Sequence, residues 1–279
     1  MKSFETNTSD HRLMIDKIHA KALESCEQDS IKIEDFKNLY GEENIQKDLA
    51  YVKEMERIFE TQSSPEQKEM SKLALIFETI INKQIEQSNW LGPNTFTIKS
   101  SRFDDIKNGV DNIVEFREED SASYLALGID ETFSSDIGKK FNRIKEEINR
   151  GSLATIKYFA SEHMNIRGEI TKIPRVVIGA DAKTATELGE LWIEKDEKTL
   201  GKHSIQFLII EEILFQLEAF ENYALKINKP EIASIYAKNK KIMEEIANLK
   251  NKSKTDDDEF FLQNDNIFQA IKDNLEIFY

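Results

Sequence analysis

Asp111 and Asp130 are the residues whose type and spacing suggest chemistry. Asp111 opens the apolar run "GVDNIVEF", and Asp130 closes "YLALGID". If the two runs pair as antiparallel strands through the turn near Glu118 to Ser123, both carboxylates fall at one end of a sheet. Glu115 shares the face of Asp111 by the two-residue alternation of a strand. Two acids so placed repel each other unless a cation lies between them. Oxygen ligands of this kind suit Mg²⁺ or Mn²⁺. Such an ion generates hydroxide and stabilises charge on a phosphate. Taken singly, each acid has a plain structural account. Asp130 is a polar strand terminus ahead of a helix cap at Ser135 or Asp136, and Asp111 serves the turn after "NG". Only their joint placement gives the chemical reading.

The elements that would position these acids follow from hydrophobic period. "SSPEQ" reads as a helix start, with Ser64 as N-cap, Pro65 in the first turn and Gln67 completing a capping box. The apolar-faced helix "EMSKLALIFETIINKQIEQS" follows. The short runs "TFTIKSS", "GVDNIVEF", "SYLALGID" and "PRVVIGA" then have strand character. Between the last two lies a helix striped by Ile137, Phe141, Ile144 and Ile148, and Gly151 stops it. Three successive strands suggest a meander, and the helix before "PRVVIGA" suggests a crossover to a parallel neighbour. Residues 9–62 and those after Asp181 read as helices. "NKSKTDDDE" reads as a flexible linker.

The chain has 279 residues, 39% of them apolar and 32% charged, which suits a globular protein with a sizeable core. Its single cysteine, Cys26, allows no internal disulfide, so a reducing cytoplasm is the expected setting. No apolar run approaches the roughly 20 residues needed to cross a bilayer. The first residues, "MKSFETNTSDHR", lack the apolar segment of a secretory signal. A net charge of −14 argues against a general cationic grip on nucleic acid, although it leaves room for local basic patches. The four histidines show no zinc spacing, and no phosphate loop or nucleotide fingerprint is present.

The order helix, strand, strand, strand, helix, strand from about Ser71 to Asp181, with an acid opening the second strand and another closing the third, resembles the PD-(D/E)XK nuclease superfamily. The matching stretch is roughly 40% of the chain. The resemblance implies an α+β (α/β-like) fold with a restriction-endonuclease-like αβββαβ core at residues 64–182. A helical extension (1–63) would precede it, and a helical region (183–279) with a linker near 251–258 would follow. It also implies that Asp111 and Asp130 hold a divalent metal, Mg²⁺ or Mn²⁺, assisted by Glu78. Glu78 lies three residues from both Leu75 and Ile81 and so borders the buried helix face. Asp111 follows Val110 where the family pattern has proline. The position two after Asp130, where it has lysine, holds Thr132, which is left to support a water. Lys140 lies about 70° from the centre of its helix's apolar stripe at about 100° per residue, so it is the lysine expected to reach the sheet end.

The implied activity is metal-dependent hydrolysis of nucleic-acid phosphodiesters. Lys157, Arg167, Lys172 and Arg175 are the expected backbone contacts, and Tyr158 among them is a candidate for stacking on bases. The alternative for that stretch is a loop with ordinary surface charge. The rival function is a catalytically inactive nuclease-fold scaffold that docks protein through its acidic helices. The stripe Phe207, Ile210, Leu214, Leu217 and Phe220 is then a face for a partner helix or a homodimer, or simply a packing face.

Overall fold

Ser64 begins the helix that carries Glu78. Its hydroxyl accepts the Gln67 N–H (3.2 Å), its own N–H donates to Gln67 Oε1 (2.8 Å), and Pro65 takes the first helical position. This reciprocal cap satisfies donors that a helix start otherwise leaves without partners. The computed structural model describes residues 2–117, 122–129, 137–161 and 163–279, with the side chains of 2–10 and 122–129 excepted. Helices α1 (Lys2–Asp29), α2 (Lys37–Tyr40), α3 (Glu42–Gln62) and α4 (Pro65–Gln87) lead into β1 (Thr95–Lys99), β2 (Asn112–Arg117) and β3 (Ala122–Ile129). Then come α5 (Ile137–Arg150), β4 (Ala154–Ser161), β5 (Ile166–Ile173) and β6 (Arg175–Ile178). The order ends with α6 (Ala182–Glu194), α7 (Glu197–Gly201), α8 (Ile205–Lys226), α9 (Pro230–Lys250), α10 (Asp256–Asn264) and α11 (Asn266–Asn274). The chain is α+β, and among the described residues no helix is long and apolar enough to cross a membrane.

The main sheet runs β1-β2-β3-β6. β1 and β2 are antiparallel, as are β2 and β3, whereas β6 is parallel to β3. Asn112 pairs with Leu127, and Ile129 pairs with Ile178. The start of β2 and the ends of β1, β3 and β6 therefore lie at one end of the sheet. Between α5 and β6 the chain inserts the hairpin β4–β5, where the sequence suggests a basic nucleic-acid contact or a loop with ordinary surface charge. Five of its eight β5 residues are exposed, and the β4–β5 register shifts twice, so the two-residue period of a strand is blurred in the sequence.

Side chains, and on one edge a backbone amide, bond to both edges of the sheet. The Gln216 amide donates to Val177 O (2.5 Å), and its oxygen accepts the Val177 N–H (2.8 Å). One turn earlier, Glu212 Oε2 accepts the Gly179 N–H (3.0 Å). On the opposite edge, Glu86 accepts the Thr97 N–H (2.5 Å), and the Ile31 N–H donates to Lys99 O (3.2 Å). An open strand edge carries unpaired backbone groups and invites pairing with other chains. Here α8 stands in for a fifth strand.

The helices expected to extend the core are part of it. Ile18 and Ala22 of α1 join the same apolar cluster as Phe77 and Ile80 of α4, Phe141 of α5 and Phe220 of α8. The α8 stripe is used inside the chain: Phe207, Ile210, Leu217 and Phe220 are buried, and Leu214 packs against the cluster. The Phe220 ring lies 4.7 Å from Phe278 and 5.4 Å from Tyr236. That stripe is thus covered by the chain's own elements and is not a face left open for a partner. The expected linker is also structured. Thr255 and Asp258 form a capping box at the start of α10, and Ser204 donates to Asp258 (2.6 Å). The aspartates that suggested a solvated run are the preferred residues of a helix start.

Replacing Gln216 with leucine strands the buried N–H and C=O of Val177, which should cost about 2 kcal/mol of stability. Urea unfolding of Gln216→Leu checks this; a loss below about 0.5 kcal/mol would show that the edge is satisfied in another way.

Candidate functional site

The loop from Lys99 to Asp111 is shaped by a buried carboxylate. Asp104 is fully buried and accepts hydrogen bonds from the Lys157 N–H (2.8 Å), the Tyr158 N–H (3.0 Å), Asn108 Nδ2 (2.6 Å) and the Ser101 hydroxyl (2.7 Å). It ties the π-helical turn Asp104–Asn108 to β4. Gly109 ends the turn in the left-handed region at φ +62°, a conformation that costs glycine little. The chain then returns to the sheet, where the Ser100 hydroxyl donates to Val110 O (2.5 Å) and the Ser100 N–H to Asp111 O (3.1 Å). On the helix side, Asn82 Nδ2 donates to Asn112 Oδ1 (2.8 Å), which fixes α4 against the start of β2.

Glu78 lies one turn before Asn82 on α4 and so faces the same sheet end. Its carboxylate pairs with Lys99 at the end of β1, and Lys99 Nζ also donates to Asp111 O (3.1 Å). Both side chains are mostly buried, Lys99 at 8% exposure and Glu78 at 15%. Asp111 is partly buried, and its carboxyl is pushed up to about 7. Burial is the largest cause, followed by the charge of Asp105, which also shares a hydrogen bond with it. The ammonium groups of Lys99 and Lys140 pull the other way. Asp105 in turn pairs with Arg102.

The structure therefore links Glu78 to the Asp111 backbone through Lys99 and puts the charge of Lys140 near the Asp111 carboxyl. Asp130 and Thr132 lie outside the described residues; β3 delivers Ile129 to the same sheet end. Sequence reading missed Lys99 and Asp105. Lys99 closes the apolar run "TFTIK", so a charged strand terminus at the sheet end was the available signal. Asp105 sits in a π-helical turn, which has no signature in hydrophobic period. Glu115 shares a strand with this site but lies deeper and is buried, and that burial raises its carboxyl above the usual range.

The expected basic face does not form. Tyr158 is fully buried, its hydroxyl donates to Asp48 (2.6 Å), and its ring is packed by Phe36, Tyr40 and Phe103, so no face is left for a base. Lys157 turns to Asp48 and lies 5.2 Å from the Phe103 ring. Arg167 donates to Asp35 O (2.8 Å) over the Phe36 ring. Arg175 is buried at 5% exposure, and Lys172 remains exposed near Glu231 (3.7 Å). Hairpin packing spends most of these charges on the chain itself.

Among the described residues, no group of three or more His, Cys, Asp or Glu is arranged to hold a metal ion. The chain matches no protein-family model, no curated protein and no solved structure in the comparisons made.

The raised Asp111 carboxyl has a direct consequence for stability. Its ordinary value is 3.8 and its folded value about 7, so across that window the folded chain keeps a proton that the unfolded chain has released. Stability then falls as pH rises through the window and levels off above it. Asp111→Asn should melt higher than the native chain with chelator present, by a margin that grows from pH 4 to pH 7. Thermal melts across that range check this, and a margin independent of pH would contradict it.

Proposed function

We propose that this chain is a metal-dependent phosphodiesterase acting on nucleic acid, with a core of the PD-(D/E)XK type. The observation that carries the reading is the convergence of Glu78, Lys99, Asp111 and Lys140 at one end of the sheet, from α4, β1, the entry to β2 and α5. The element order α4-β1-β2-β3-α5-β6, with only β3 and β6 parallel, supports it.

The donor set is compatible with a divalent ion. Asp111 and Asp105 are carboxyls in hydrogen-bond contact, an arrangement that persists with a shared proton or with a cation in its place. Asp111 and Glu78 would hold Mg²⁺ or Mn²⁺, with Asp130 as the remaining acid. When bound, the ion supplies charge to the phosphate and acidity to a water. Lys99 then fills the role left vacant at Thr132: its ammonium, fixed by Glu78 and the Asp111 carbonyl, orients the attacking water. Lys140 adds positive charge beside Asp111, where the phosphate oxygens would approach.

A second reading, a catalytically silent scaffold, is favoured by the Glu78–Lys99 pair, which already neutralises one of the acids. One experiment separates the two. On the first reading, Mn²⁺ raises the melting temperature of the native chain and not that of Asp111→Asn. The native chain also cleaves a plasmid or a single-stranded oligonucleotide. Lys99→Met combined with Glu78→Gln, which leaves no lone buried charge, should slow cleavage by about 100-fold or more. A native chain that neither binds Mn²⁺ nor cleaves either substrate supports the scaffold.

A further inference from the structure

The carbonyls that end the π-helical turn are gripped by two arginines from separate elements. Arg175, on β6, donates through Nη1 to Asn108 O (2.7 Å) and Gly109 O (2.9 Å). Arg143, on α5, donates through Nη2 to Asn108 O (2.8 Å) and Lys107 O (3.2 Å). The carbonyls at the end of a helical turn lack intrahelical partners, and positive charge is favoured there. Two guanidinium groups side by side nevertheless repel each other. Burial and the Arg175 charge both hold Arg143 below the usual arginine range. Glu147 offsets this by pairing with Arg175 and lying 3.6 Å from Arg143 Nε.

Gly109 is fitted to this arrangement. A Cβ there would lie 2.6 Å from Arg143 Nη1 and 3.1 Å from Arg175 Nη1, on a backbone already at φ +62°. Only glycine both adopts the conformation cheaply and leaves room for the guanidinium groups. Asp111 follows two residues later.

We infer that Arg143 and Arg175, balanced by Glu147 and admitted by Gly109, form a clamp on residues 107–109 that aims Asp111 into the candidate site. The inference rests on the proposed function for its purpose, though not for its geometry. Arg143 and Arg175 are positioning residues, because they act on the site through the turn.

The test compares the full-length native chain with Arg143→Gln, Arg143→Lys, Gly109→Ala and the double variant Arg143→Gln/Gly109→Ala. Arg143 is 46% exposed on its side chain, so its replacement should leave the fold intact. Amide hydrogen exchange at Asn108 to Asn112 should speed up tenfold or more in Arg143→Gln and Gly109→Ala, while α9 and β5 exchange at the native rate. Mn²⁺ affinity, by calorimetry, should fall tenfold or more in both and recover in part in Arg143→Lys. The double variant should be no worse than the poorer single, because each change removes the same grip. Native exchange at 108–112 in Arg143→Gln, or losses that add in the double variant, would overturn the clamp. A native chain that binds no Mn²⁺ would overturn the proposed function and with it the aiming role, while the exchange comparison would still decide whether the grip exists.

Discussion

The buried carboxylate of Asp104 is the contact on which the candidate site depends. It receives two backbone amides of β4 and two side chains of its own loop. A buried carboxylate is tolerated only when its oxygens are satisfied in this way. Because its donors come from both the loop and the inserted hairpin, the π-helical turn cannot shift without breaking bonds to β4. The hairpin is thus a foundation for the loop that presents Asp105 and Asp111, and its apolar inner face, Ile156 and Phe159, covers Val110 and Ile113 beside them. The helices before α4 buttress the same hairpin, with Phe36, Ile45 and Val52 packed around Tyr158.

On this base the site is an alternation of charges. Lys99 lies between Glu78 and the Asp111 carbonyl, Arg102 pairs with Asp105, and Glu147 separates two arginines. Each partly buried charge has an opposite neighbour, which limits the desolvation penalty. Asp111 has both like and opposite charges close by: burial and the charge of Asp105 raise its carboxyl in spite of the ammonium groups of Lys99 and Lys140.

Much of this architecture was legible in the sequence for reasons that can be named. The capping box at Ser64, the apolar stripe of α5 and the short β-branched runs predicted α4, α5 and the four strands of the main sheet, because each buries one face against a single core. The hairpin was not legible, since β5 shows water mostly polar residues and the bulged register breaks the two-residue period. Glu78 came from the family resemblance, while Asp111 at the sheet end followed from strand order and the approach of Lys140 to it from helical angle. Lys99 and Asp105 followed from none of these, because their approach is set by loop geometry and not by a repeating pattern. The basic residues of 157–175 misled for a related reason: composition shows charge but not the partner, and here the Asp48 and Glu147 carboxylates and the Asp35 backbone carbonyl provide it.

The Gln216 grip on Val177 bears on how the protein is made. During synthesis, β6 leaves the ribosome well before the helix that shields its flank. Until residues 205–226 have emerged and docked, the nascent sheet carries an adhesive margin able to recruit a neighbouring chain. Docking of α8 closes that margin, so fragments ending near residue 182 should accumulate as aggregates.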